Sequence, residues 1–76
     1  MKELLTYIAR SMVSSPDEVS VTEVERDDEL VLELRVAQKD MGKIIGRQGR
    51  TSKEIRAIIK AASASEPKKV SVDIVD

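Results

Sequence analysis

Apolar side chains recur at Met1, Leu4, Leu5, Ile8, Ala9, Met12 and Val13. This is the i, i+3, i+4 spacing of a helix with one buried stripe, and it predicts a helix from Met1 to Val13. Ser14-Ser15-Pro16-Asp17 ends it, since proline removes a donor and restricts the residue before it. Val19 and Val21 then alternate with Ser20 and Thr22 as in a strand, and the break at Glu23-Val24 predicts a bulge. After an acidic turn at Asp27-Asp28, Leu30, Leu32, Leu34 and Val36 alternate with Val31, Glu33, Arg35 and Ala37, the clearest strand in the chain, with its leucine face in the core.

Asp40 is placed as the N-cap of a short helix carrying Met41, Ile44 and Ile45, which stops at Gly46. Gly46-Arg47-Gln48-Gly49 reads as a tight loop. A second helix runs to about Ser65, with Ile55, Ile58, Ile59 and Ala62 on one face; Thr51 and Glu54 stand at capping-box spacing, with a start one turn earlier as the alternative. Glu66-Pro67-Lys68 closes it, and Val70, Val72 and Ile74 alternate with Ser71, Asp73 and Val75 as a last strand. The first two strands form an antiparallel hairpin, and the helical crossover makes the last two parallel. The expectation is an α+β domain, αββααβ, with a three-stranded mixed sheet and three helices packed on one face.

Composition narrows the function. The chain has 76 residues, enough for one small domain, and contains neither cysteine nor histidine. Disulfides and thiolate metal sites are excluded, and the usual general base is missing, so binding is favoured over catalysis. Short apolar runs provide neither a membrane span nor a signal-peptide core, which points to the cytoplasm. The single aromatic, Tyr7, argues against recognition by stacking bases on a sheet. Asp27-Asp28-Glu29 reads as a solvated turn, because three successive residues point in different directions, so no metal or other cofactor is expected.

The net charge of -1 conceals segregation. Residues 1–40 carry five basic against ten acidic groups, whereas residues 41–60 set Lys43, Arg47, Arg50, Lys53, Arg56 and Lys60 against Glu54 alone. A basic helix is ordinarily just a solvated face. Here, however, all three glycines, Gly42, Gly46 and Gly49, fall in the same window. The glycine spacing fits neither a P-loop nor a dinucleotide fingerprint. What remains is a G-x-x-G turn before a helix N-terminus, where backbone amides and mobile cations meet a sugar-phosphate chain without side-chain obstruction.

Ile44-Ile45-Gly46-Arg47-Gln48-Gly49-Arg50, between two helices of a βααβ unit, resembles the KH domain, and the αββααβ order resembles its type II form. The likeness covers residues 1–76 as a single KH domain and, through Leu32-Glu33-Leu34-Arg35-Val36 and Asp40-Met41-Gly42-Lys43, is closest to the stand-alone bacterial KhpA family. The resemblance implies an RNA chaperone or post-transcriptional regulator, with Gly46, Arg47, Gln48 and Gly49 clamping about four single-stranded nucleotides. Lys43, Arg50 and Lys53 would meet phosphates, and Ile44, Ile45 and Val36 would line an apolar groove. Ser52 stands where many KH modules have a branched apolar residue, which would make the groove floor more polar. The resemblance also implies a homodimer, and Ala57, Ala61 and Ala64 offer a small-residue stripe for it. The alternative it implies is an adaptor that partners a KhpB (Jag-like) protein in cell elongation and division. No membrane or small-molecule substrate is expected.

Overall fold

The fold was obtained as a computed structural model that describes residues 1–75. The central strand, β2 (Glu29–Arg35), is the leucine-alternating segment, paired on both sides. β1 (Ser20–Arg26) runs antiparallel to it from Ser20 opposite Arg35 to Arg26 opposite Glu29. β3 (Lys69–Val75) runs parallel, with Leu32 beside Val72. Three helices, α1 (Lys2–Arg10), α2 (Met41–Ile45) and α3 (Arg50–Ala62), complete the expected order.

One sheet face carries the core. Leu32 and Leu34 of β2, Val21 of β1, and Val70 and Val72 of β3 pack with Leu5 and Ala9 of α1, Ile44 of α2, and Ile55 and Ile59 of α3. On the other face Val31 is buried as well, because its register neighbours are Val24 and Ser71.

Several boundaries differ from expectation for physical reasons. α1 stops at Arg10, where the Met12 amide turns to the Ala9 carbonyl three residues back at 3.1 Å, and the Ser14 amide beyond it is bonded to Asp40. Met12 and Val13 lie past the helix yet still pack on the core. The bulge at Glu23-Val24 is absent and the β1–β2 register is unbroken. Glu23 shares the helix-facing side with Val21 but is exposed, so the helix cover ends there while the pairing continues.

The Thr51–Glu54 capping box does not form: Gly49 is the N-cap, and no side chain caps the helix. The buried stripe of α3 is Ser52, Ile55 and Ile59, continued by Ser63, while Ile58 is 47% exposed and Ala62 is exposed. Ser52 spends its hydroxyl on the Gly49 carbonyl, 3.0 Å away. It therefore sits in the packed stripe and does not form a groove floor.

Candidate nucleic-acid interface

The four residues between α2 and α3 are held by backbone geometry that few sequences permit. Gly46 has φ 75° and ψ 175°, a conformation essentially reserved for glycine. Gln48 (φ 59°) and Gly49 (φ 74°) are left-handed. Gly46 donates its N–H to the Gly42 carbonyl at 2.8 Å, ending α2, and Gly49 donates to the Gly46 carbonyl at 3.2 Å. The loop thus folds into one tight turn, Arg47–Gly49. Arg47 and Gln48 lead this turn, and the first amides of a helical turn find no acceptor inside it.

Gly46 is required twice over. A Cβ there would fall on the Thr51 side chain, 2.6 Å from its Cβ and 2.8 Å from its amide nitrogen. The Gly49 position is open, with only the Ser52 Oγ nearby at 3.9 Å. Gly42, in α2, has nothing within 4 Å and no special backbone, so the third glycine of the cluster has no steric role.

Arg47 and Gln48 project from the loop, and Arg50 and Lys53 follow on the first turns of α3, all exposed. At 100° per residue, Arg50, Lys53, Arg56 and Lys60 fall within about 120° of arc on a helix about 20 Å long. They form one cationic side that begins at the loop. Among the described residues, none of these cations, nor Arg47, has a carboxylate within ion-pair distance. Lys43 differs, since its Nζ lies 3.5 Å from Asp40 Oδ1.

The cationic side continues into a groove of about 410 Å³ between the second half of α3 and the outer edge of β3. Arg56, Lys60 and Ser63 form one wall, and Val70 and Val72 the other. Arg56 Nε donates to the Val72 carbonyl at 3.3 Å, leaving both terminal guanidinium nitrogens free to face the groove. At its far end Lys68 pairs with Glu25 at 3.4 Å.

The three residues expected as an apolar lining lie in different settings. Ile44 has no exposed surface and belongs to the core; Val36 lies just past β2, half-buried against that core. Ile45 is 40% exposed beside the loop, but none of the three lines the groove. Sequence reasoning missed Arg56, Lys60, Val70 and Val72 as groove walls, although the i, i+3, i+6, i+10 spacing of Arg50, Lys53, Arg56 and Lys60 was a usable signal. The alanine stripe shortens to Ala57 and Ala61, both exposed, because α3 ends before Ala64.

Asp40 occupies the N-cap position of α2 without capping its own helix. Its carboxylate, fully buried, accepts the Ser14 hydroxyl at 2.7 Å, the Ser14 amide at 3.1 Å and the Ser15 amide at 3.1 Å. The Ser14 hydroxyl, helped by the two amides and Lys43, holds the carboxyl down at about 2 from an ordinary 3.8, against the opposing effect of burial. Among the described residues, no group of three or more acidic side chains converges to hold a metal ion, and no helix is long and apolar enough to cross a membrane.

Comparison with known proteins agrees with this geometry. A family model described as the KH domain of KhpA/KhpB matches residues 2–74. RNA-binding protein KhpA of Clostridium acetobutylicum is 55% identical over 75 residues, covering 99% of this chain and 100% of that protein. Its namesake in Chlamydia trachomatis is 42% identical, covering 100% and 97%. A crystal structure of Era from Aquifex aeolicus superposes with a TM-score of 0.66 over 96% of this chain, at 21% identity and over 28% of that longer protein, a likeness of fold. With its αββααβ order and the G-x-x-G loop between α2 and α3, the chain belongs to the KhpA/KhpB KH-domain family.

Proposed function

We propose that the whole chain acts as one KH module that binds single-stranded RNA without catalysing a reaction. Gly46-Arg47-Gln48-Gly49 clamps the sugar-phosphate backbone, with Ile45 beside it. Arg50, Lys53, Arg56 and Lys60 lead the strand along α3 toward the groove, and Lys43 reinforces the clamp from α2. The observation that carries this reading is the convergence, at one helix start, of three positive-φ residues and a file of cations with no carboxylate in ion-pair distance among the described residues. Glycine gives phosphate close access to the loop amides, and free cations replace counterions. Such contacts fix the register of a strand but read little sequence, which fits a chaperone or post-transcriptional regulator acting on many RNAs in the cytoplasm. The name RNA-binding protein carried by the KhpA relatives supports the same reading.

Replacing Arg47 and Gln48 together with aspartate tests it. Both side chains are exposed, and aspartate tolerates the left-handed conformation of Gln48, so stability changes by no more than about 0.5 kcal/mol per site. Affinity for a short single-stranded RNA falls at least tenfold while circular dichroism is unchanged. Full-strength binding by the folded variant assigns RNA to another surface.

A second reading, an adaptor that pairs with itself or with a KhpB (Jag-like) protein in cell elongation and division, is favoured by one observation. Ile58, 47% exposed, stands beside Ala57 and Ala61 on the outer face of α3, where small side chains permit close approach. Sedimentation of wild type as a two-fold dimer, converted to monomer by Ile58→Lys, supports it; a monomer at tens of micromolar removes the homodimer.

A further inference from the structure

We infer that Asp40 is a positioning residue of the nucleic-acid clamp: its buried carboxylate ties the segment between α1 and β1 to the base of α2, and thereby fixes the pose of the G-x-x-G loop. The inference rests on the RNA-clamp reading and extends it to residues that touch no phosphate.

α2 has five residues, and Ile44 is its one buried side chain. A helix of this length has no stability of its own, so its orientation is set by what holds its two ends. At the C-terminal end, Gly46 is wedged against Thr51. At the N-terminal end the backbone enters from the short turn Gln38–Asp40, and the side-chain tie is the Asp40 carboxylate, whose hydrogen bonds go to a segment 25 and 26 residues earlier in the chain. A carboxylate that merely capped α2 would remain near solvent and bond its own first-turn amides. This one is fully enclosed, and it is spent on Ser14 and Ser15. Burying a charge is costly unless every lone pair finds a donor, and this site supplies two amides, a hydroxyl and, at its edge, Lys43. The carboxylate also draws Lys43 toward the base of α2, one turn before the loop. Releasing it frees α2 to tilt about Ile44, and its far end carries Gly46.

The test compares wild type, Asp40→Asn and Ser14→Ala as full chains, titrated with a mixed-sequence single-stranded RNA octamer well below the unfolding temperature. Asp40→Asn keeps the shape but sets an amide donor among donors, and binding weakens about tenfold, the affinity equivalent of one lost charge-assisted hydrogen bond. Ser14→Ala removes the hydroxyl alone, leaves both amides in place, and weakens binding about threefold. Amide hydrogen exchange supplies the readout that a purely structural role would not move: exchange accelerates at the hydrogen-bonded amides of Gly46 and Gly49 while the Leu32 and Leu34 amides of β2 stay protected.

Unchanged affinity in folded Asp40→Asn overturns the inference, as does acceleration of the β2 amides by the same factor as the loop. If Asp40→Asn does not fold, Ser14→Ala decides by the same two measurements. The Arg47→Asp, Gln48→Asp variant runs alongside. Loss of binding there with none in Asp40→Asn refutes the positioning role and leaves the clamp reading intact. Full binding there overturns both.

Discussion

The two poles of the molecule solve the same problem with opposite chemistry. At one, the β1–β2 turn reverses the chain with Asp27 at φ 39°, among carboxylates; at the other, Gly46, Gln48 and Gly49 reverse it among cations. Two carboxylates of the acidic pole are engaged locally. Glu25 pairs with Lys68 at 3.4 Å, Glu29 approaches Lys69 at 4.0 Å, and the Lys69 amide bonds the Asp28 carbonyl at 3.2 Å, stitching the turn to the start of β3. Among the described residues, the basic pole leaves Arg47, Arg50 and Lys53 without ion-pair partners. An unanswered charge is available to a ligand without first giving up a contact of the fold. The net charge of -1 averages over this division and hides it.

The contrast is sharpest at Gly46. Gly46→Ala meets both a glycine-only backbone and the Thr51 side chain, and should cost about 2–4 kcal/mol in urea unfolding. Gly49→Ala, left-handed but in open space, should cost only about 1–2 kcal/mol. Equal costs would mean that backbone conformation alone, and not the approach of Thr51, makes Gly46 necessary.

Acid probes the basic pole from beneath. Asp40 is depressed from 3.8 to about 2, so its contribution to stability is complete above the unfolded value and is lost as pH falls through the folded one. Denaturant midpoints of wild type should therefore drop between pH 3.8 and about 2 by more than those of Asp40→Asn. Parallel curves would place the acid sensitivity in other carboxylates.

The smallest effect lies at the acidic pole. Glu25→Gln with Glu29→Gln breaks two exposed ion pairs worth at most about 1 kcal/mol each. It frees Lys68 and Lys69 for phosphate, and the slope of log affinity against log salt should steepen by about 0.7 for each lysine recruited. An unchanged slope would show that the RNA path ends before the groove's far end.

The βααβ core was legible because its signals are local: the Leu30, Leu32, Leu34 alternation and two glycines at loop spacing each specify their own segment. The readings that failed depended on coverage or on distant partners. Glu23 breaks the alternation of β1 although the register does not, since exposure at an edge strand depends on where the helices end. Ile58 and Ile59 look alike in sequence, and only the direction of α3 over the sheet exposes one and buries the other. Asp40 read as an ordinary N-cap, because no periodicity reports a bond to Ser14 across 26 residues. The polarity of Ser52 points to a polar groove in sequence, but its hydroxyl is bonded to the Gly49 carbonyl, a partner that no spacing reveals.

One contact has a meaning for how the protein behaves in a crowded solution. β3 ends the sheet, and an unpaired edge offers its backbone groups to any strand of another molecule. Arg56 occupies the Val72 carbonyl in the middle of that edge and sets a hydrated charge where an incoming strand would register. On the opposite edge, β1 displays the exposed Glu23, which repels a second copy of itself. A chain whose small sheet has two open sides is thus guarded on both against growing, molecule by molecule, into a fibril, and on one side the guard is a residue of the groove wall.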